Sequence, residues 1–111
     1  MSVSVLLAIA GVMGAAGVIL AAAGAHAAPG AGLESAAYML LFHAAAVLAA
    51  AALVDGGRLW RVAALVAMAG RLVGAGLFAG DLALRAFAGH RLFPMAAPTG
   101  GMILIAAWLM V

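Results

Sequence analysis

The sequence predicts an all-α integral membrane protein, an antiparallel bundle of four transmembrane helices joined by short loops. Four apolar stretches, each long enough to cross a bilayer, take up nearly all of the 111 residues. The chain is 70% hydrophobic and only 7% charged, whereas a soluble domain is roughly a quarter charged. At a mean hydropathy of +1.34 a soluble fold has no means of hiding its apolar surface, and lipid is the expected solvent. The turns between the stretches are only a few residues long, which favours antiparallel neighbours.

The first helix is expected over 3–27. A helix rises about 1.5 Å per residue and the hydrocarbon core is about 30 Å thick, so about 20 residues suffice for a span. Ala25-His26-Ala27 has the small-x-small form of a signal-peptide cleavage site. No Lys or Arg precedes the run, however, and it is longer than a signal-peptide core. Pro29, Gly30 and Gly32 then form a turn. The second helix is expected over 35–54, ending at the polar turn Asp55-Gly56-Gly57-Arg58. The third covers 59–83 or slightly more and is interrupted by Arg71 and Asp81, and Arg85 to Pro94 reads as a loop or frayed helix end. The fourth, over 95–111, has Pro98, Gly100 and Gly101 in its first turns and is a bare minimum for a span. Residues 1–111 form a single membrane domain.

The charged residues exclude several functions. Five arginines, no lysine and three acids give a net charge of +2, which is no nucleic-acid footprint. The absence of cysteine removes disulfides, thiolate chemistry and cysteine-based metal sites. No His-x-x-x-His pair is present, and Ser2, Ser4, Ser35 and Thr99 form no nucleophile–base arrangement. No cofactor, no metal and no enzymatic activity are expected. Arg58 and Arg61 lie on the side of the N-terminus, Arg85 and Arg91 on the other. An i,i+4 pair with Asp81 masks the charge of Arg85, which leaves both termini on the cytoplasmic side.

Small residues are expected to carry the helix packing, because in lipid they let backbones approach closely. The first helix has Gly14, Gly17, Ala21 and Gly24 at three- and four-residue spacing. The third has Gly70-x-x-x-Gly74 and Gly76-x-x-x-Gly80. At about 100° per residue the two seams point in different directions, so the third helix should touch neighbours on both sides. Gly100 and Gly101 offer a similar surface on the fourth.

Folding the chain on this topology brings His26, Glu34, Tyr38, His43, Asp81 and Arg85 to one half of the bundle, a predicted polar cluster. Glu34 and Tyr38 share a helix face, as do Asp81 and Arg85. His26 reads as an interfacial cap and Asp81–Arg85 as a structural ion pair. His43 lies deeper, where it serves either as a hydrogen-bond partner of a neighbouring helix or in proton relay or ligand binding. Arg71, near the middle of the third helix, is the costliest residue. It needs a carbonyl, a water-filled cavity, a lipid headgroup or another protein's acid.

Gly24-Ala25-His26, Leu33-Glu34, Phe42-His43, Leu77-Phe78-x-Gly80, Pro98-x-Gly100-Gly101 and Trp108 stand in the order and approximate spacing of a small membrane-protein family. From about residue 11 to 111 the chain resembles domain-of-unknown-function family 423, to which the eukaryotic transmembrane protein 256 is similar. The resemblance implies a four-helix bacterial inner-membrane protein and carries over no biochemical activity. Met39-Leu40 replaces the family's usual Tyr-Gln, Asp81-Leu82-Ala83 replaces a Ser-Leu-Tyr pattern, and Arg71 stands at a usually apolar position. Function is therefore expected to be that of a non-catalytic structural or accessory subunit, or assembly factor, of a larger membrane complex. Its expected contacts are lipids and other membrane-protein subunits or its own copies, with Arg71 at a partner or lipid contact. The alternative is a small dimeric ion or solute transporter with Asp81 and His43 in its pathway.

Overall fold

The computed structural model describes residues 3–27, 30, 32–90 and 92–110. Ser2, Pro29, Arg91 and Val111, to which the sequence assigns roles, lie outside the described residues. Four α-helices follow one another, α1 (Val3–His26), α2 (Leu33–Asp55), α3 (Arg61–Phe87) and α4 (Ala96–Leu109). Among the described residues there is no strand. Three helices are long and apolar enough to cross a membrane, and α4 is apolar but shorter.

The helix ends follow from the local chemistry. Before α2, Gly30 and Gly32 take φ values of 79° and 81°, left-handed backbone that glycine adopts without penalty. After α2 the Gly57 amide donates to the Val54 carbonyl and the Arg58 amide to the Leu53 carbonyl. With Gly57 at φ 69°, this is a Schellman stop, which satisfies carbonyls a helix end otherwise leaves bare.

Two boundaries differ from the sequence expectation. Helix α3 continues through Arg85 to Phe87, because Asp81 and Arg85 pair across one turn and support the last turns. The chain turns instead at Gly89, with φ 75°. Helix α4 has 14 residues, about 21 Å, shorter than the bare-minimum span expected over 95–111. Met95 preceding it is held at φ 71°, a left-handed conformation that an α-helix does not accommodate. Pro98 sits in the first turn of α4, where a missing amide costs no intrahelical bond.

Consecutive helices pack in series, and α1 also touches α3. Among the described residues, α4 approaches only the backbone of α3. The core runs through Leu6, Ala10 and Met13 of α1, Leu40, Ala44 and Val47 of α2, Met68, Leu72 and Ala75 of α3, and Leu104 of α4. Buried positions on α2 recur as Leu33, Ala36/Ala37, Leu40, His43/Ala44, Val47, Ala50/Ala51 and Val54, the period of one helical face. The opposite faces are also apolar. Val12, Ile19, Phe42, Met102 and Ile105 are all more than 60% exposed, an arrangement that costs free energy in water.

The glycine seams explain the close approaches. A Cβ on Gly17 would meet Leu41 and the Ala37 carbonyl, and one on Gly24 would meet Leu33. A Cβ on Gly70 would meet Ala107. The closest crossing joins Gly74 of α3 to Gly100 of α4, where an added Cβ on either would come within 2.8 Å of the other's carbonyl oxygen. Gly80 faces the Leu92 side chain at 3.3 Å, whereas Gly76 and Gly101 face open space.

Candidate functional site

Among the described residues the buried polar ones are His43 on α2 and Arg71 and Asp81 on α3. His43 and Arg71 each sit between buried apolar residues one turn away, whereas Asp81 is the last buried residue of α3. His43 and Arg71 meet through Trp108 of α4. The indole Nε1–H of Trp108 donates to His43 Nε2 at 3.0 Å, and an indole nitrogen can only donate. Nε2 must therefore accept, which puts the imidazole proton on Nδ1, and Nδ1–H donates to the Met39 carbonyl at 2.7 Å. Both ring nitrogens are thus engaged, and one tautomer is fixed. The two rings meet edge to face, 6.0 Å between centroids.

The Arg71 guanidinium lies over the Trp108 ring, 4.4 Å from its centroid. Arg71 is 2% exposed, and its Nε is buried without a hydrogen-bond partner. A desolvated cation–π contact returns about 2 kcal/mol. Burying a charge costs several kcal/mol, and the orphaned Nε adds about 1–3 kcal/mol. Trp108 therefore offsets only part of the cost of Arg71. Among the described residues Arg71 forms no ion pair, whereas Arg85 pairs with Asp81. Glu34 and Asp55 stand at the two ends of α2.

Asp81 is fully buried and does different work. One carboxylate oxygen accepts from the Arg85 guanidinium, and the other accepts the Leu92 backbone amide at 3.0 Å. It thereby ties the connection between α3 and α4 to the end of α3. Glu34 and Tyr38 are exposed near the α1–α2 turn, with the carboxylate in reach of the phenol one turn on, and Tyr38 stacks on Phe42 at 5.6 Å. His26 is exposed at the end of α1.

The structure thus distributes the predicted polar cluster over separate places. It joins Asp81 with Arg85, and Glu34 with Tyr38. His43 goes instead with Trp108, which stacks on Arg71, the residue the sequence sets apart. Trp108 is the member missed by reading acids, bases and histidines alone. Its signal was a large aromatic residue with a polar N–H late in an apolar helix.

A cleft of about 460 Å³ opens between α2 and α4. Met39 and His43 form one wall, Pro98, Gly101, Met102, Ile105 and Trp108 the other, and Phe78 of α3 and Leu104 complete it. A second apolar groove lies between α1 and α3, where Ile9, Val12 and Ile19 face the open Gly76. Among the described residues no group of three His, Cys, Asp or Glu is placed to hold a metal ion.

These features define a small four-helix, all-α protein whose apolar helices are compatible with a membrane. The chain belongs to the family described as "Protein of unknown function (DUF423)", whose model matches residues 13–101. No curated protein and no solved structure matches it.

Proposed function

We propose that this protein is a small multi-pass protein of the bacterial inner membrane, without catalytic activity, that serves as a structural or accessory subunit or assembly factor of a larger membrane complex. The observation that carries this reading is Arg71, buried near the middle of a 27-residue apolar helix with an unpartnered Nε. At the centre of a bilayer an arginine costs about 2.5–3.5 kcal/mol on insertion scales and far more on an isolated helix. A protein that keeps such a group has a use for it, and a group contributed by another chain provides one.

The surrounding architecture supports a membrane setting. Apolar side chains face outward as well as inward, and the longest dimension is 43 Å, close to the thickness of a bilayer with its headgroups. Partner positions fall in number as each helix advances: Gly14 faces Ala44, Gly17 faces Leu41 and Gly24 faces Leu33, while Gly70 faces Ala107 and Gly74 faces Gly100 and Leu104. This pattern supports antiparallel packing of α1 with α2 and of α3 with α4. Arg58 and Arg61 favour a cytoplasmic α2–α3 turn, and with it cytoplasmic termini. Lipids, other membrane subunits or further copies of the chain are its partners. A transport pathway through Asp81 and His43 has less support, since both carboxylate oxygens and both imidazole nitrogens are spent on bonds within the chain.

The test is purification of the tagged chain from its native membranes in mild detergent. Stoichiometric co-isolation of another membrane polypeptide is the expected result. Recovery as a monomer or homodimer alone refutes the accessory role.

A further inference from the structure

We infer that the pocket at the α1–α2 turn binds the headgroup of a phospholipid that carries a primary ammonium, with Glu34 and Tyr38 as the groups that select it. This rests on the membrane setting proposed above and is independent of the accessory role. The pocket is open to the surface and has a volume of about 350 Å³. Gly24 of α1, Gly30 and Gly32 of the turn, and Glu34, Ser35 and Tyr38 of α2 form its walls. Gly30 and Gly32 hold left-handed backbone, and nothing occupies the space where their side chains would stand.

A charge faces this pocket. Glu34 is exposed and lines it, and the Tyr38 phenol hydrogen-bonds to it from one turn on. Among the described residues Glu34 has no cation partner, since Arg85 pairs with Asp81. His26, at the end of α1, is not among the walls. An ionised carboxylate has about four acceptor sites, and the phenol uses one. The phenol oxygen and the Ser35 hydroxyl accept as well, so the walls suit a cation that donates hydrogen bonds. A quaternary ammonium has no N–H and relies on surrounding aromatic faces. Here Tyr38 is the one aromatic residue in the wall, and its ring is already stacked on Phe42.

The surface below the pocket selects a lipid over a free amine. Glu34 is the second residue of α2, and Tyr38 and Phe42 follow on its face at four-residue spacing. The two rings stack at 5.6 Å between centroids and are 47% and 62% exposed. Phe42 stands eight residues beyond Glu34, about 12 Å deeper along the helix. One face of α2 therefore presents a carboxylate at headgroup level and an aromatic strip beneath it, along which an acyl chain can lie. An aromatic belt accounts for Tyr38 alone, and the helix dipole for Glu34 alone. The pocket they share is what a headgroup fills.

The test is native mass spectrometry of the full chain in detergent micelles, titrated with phosphatidylethanolamine or with phosphatidylcholine of the same acyl chains. Both lipids are zwitterionic, so net charge is held constant. The first lipid is expected to bind about fivefold tighter as phosphatidylethanolamine, the upper end for an exposed ion pair. Glu34→Gln, which keeps an acceptor for Tyr38, should abolish the preference, and Glu34→Asp, which keeps the carboxylate, should retain one. Asp55→Asn, at the other end of α2, should leave it unchanged. Unchanged helix content and elution volume establish that the variants fold. Equal affinity for the two lipids overturns the proposal, as does a preference that survives Glu34→Gln. Glycerophosphoethanolamine has the same headgroup without acyl chains and should compete far more weakly; competition as strong as the lipid's overturns the assignment in favour of a soluble amine. Recovery of the chain in the soluble fraction of native cells refutes the membrane setting itself, whereas a membrane-embedded chain without the preference refutes this site alone.

Discussion

Two adjacent glycines of α4 should respond in opposite directions to the same methyl group. At Gly100 an added Cβ would stand 2.6 Å from the Gly74 carbonyl oxygen and 2.8 Å from the Phe78 amide nitrogen. At Gly101 nothing lies within 4 Å. Ordinary non-bonded contact needs about 3.5 Å, and both obstructing atoms at Gly100 are backbone, so no rotamer change relieves the overlap. The two helices must part by roughly 1 Å, loosening Leu104 against Gly74 as well. Overpacking of this kind costs about 1–3 kcal/mol, and the absence of any side-chain escape places Gly100→Ala at about 3 kcal/mol. Replacing a mid-helix glycine by alanine returns about 1 kcal/mol of helix propensity. The net expectation is a loss of about 2 kcal/mol for Gly100→Ala and a gain of up to about 1 kcal/mol for Gly101→Ala. Equilibrium unfolding in mixed micelles of dodecyl maltoside and increasing SDS, followed by far-ultraviolet circular dichroism, measures both. Equal losses at the two positions, or a neutral Gly100→Ala, would refute the crossing geometry.

Trp108→Phe keeps a ring over Arg71 but removes the donor to His43, and should cost about 0.6–1 kcal/mol. Trp108→Leu also removes the π face and should cost about 2 kcal/mol more in the same titration. Asp81→Leu deprives both Arg85 and the Leu92 amide of their acceptor. A loss of about 1–3 kcal/mol and faster proteolysis between Ala88 and Met95 are expected, with Asp81→Asn milder because it still accepts from Leu92. The chain contains no cysteine, so single cysteines report topology cleanly. An impermeant maleimide should label Ser35→Cys in intact cells and Leu59→Cys only after permeabilisation, and the reverse pattern would place the termini outside.

The helices were legible in the sequence because length and apolarity are properties of each segment alone. Their ends were legible where glycine dictates them, as at Gly57. The left-handed backbone at Met95 was not, since methionine is a good helix former and nothing in its side chain marks a break. The two glycine seams of α3 look alike in sequence. Gly70 and Gly74 meet α4, while Gly76 faces an open groove, and only the position of a neighbouring helix distinguishes them. The same limit applies to Arg71. Its depth could be counted along α3, but its aromatic partner lies on α4, a contact set by helix rotation rather than spacing.

Three attachments account for the position of α4. Asp81 fixes the connection that leads into it, Gly100 sets it against Gly74 at the crossing, and Trp108 reaches past α3 to His43 near its far end. A short helix held at those points lies close to α3 but leaves a gap to α2, and the cleft is that gap. Filling it with the chain's own side chains would require large residues on α2 or α4. Instead the sequence puts Gly101 at the wall and leaves Met102 and Ile105 exposed beside it. Leucine at position 71 should leave the isolated bundle no less stable, because replacing an incompletely paired buried charge with an apolar residue is commonly neutral or favourable. Arg71 is therefore a residue whose burial the bundle only partly offsets, its Nε unpartnered and its guanidinium set against the Trp108 ring.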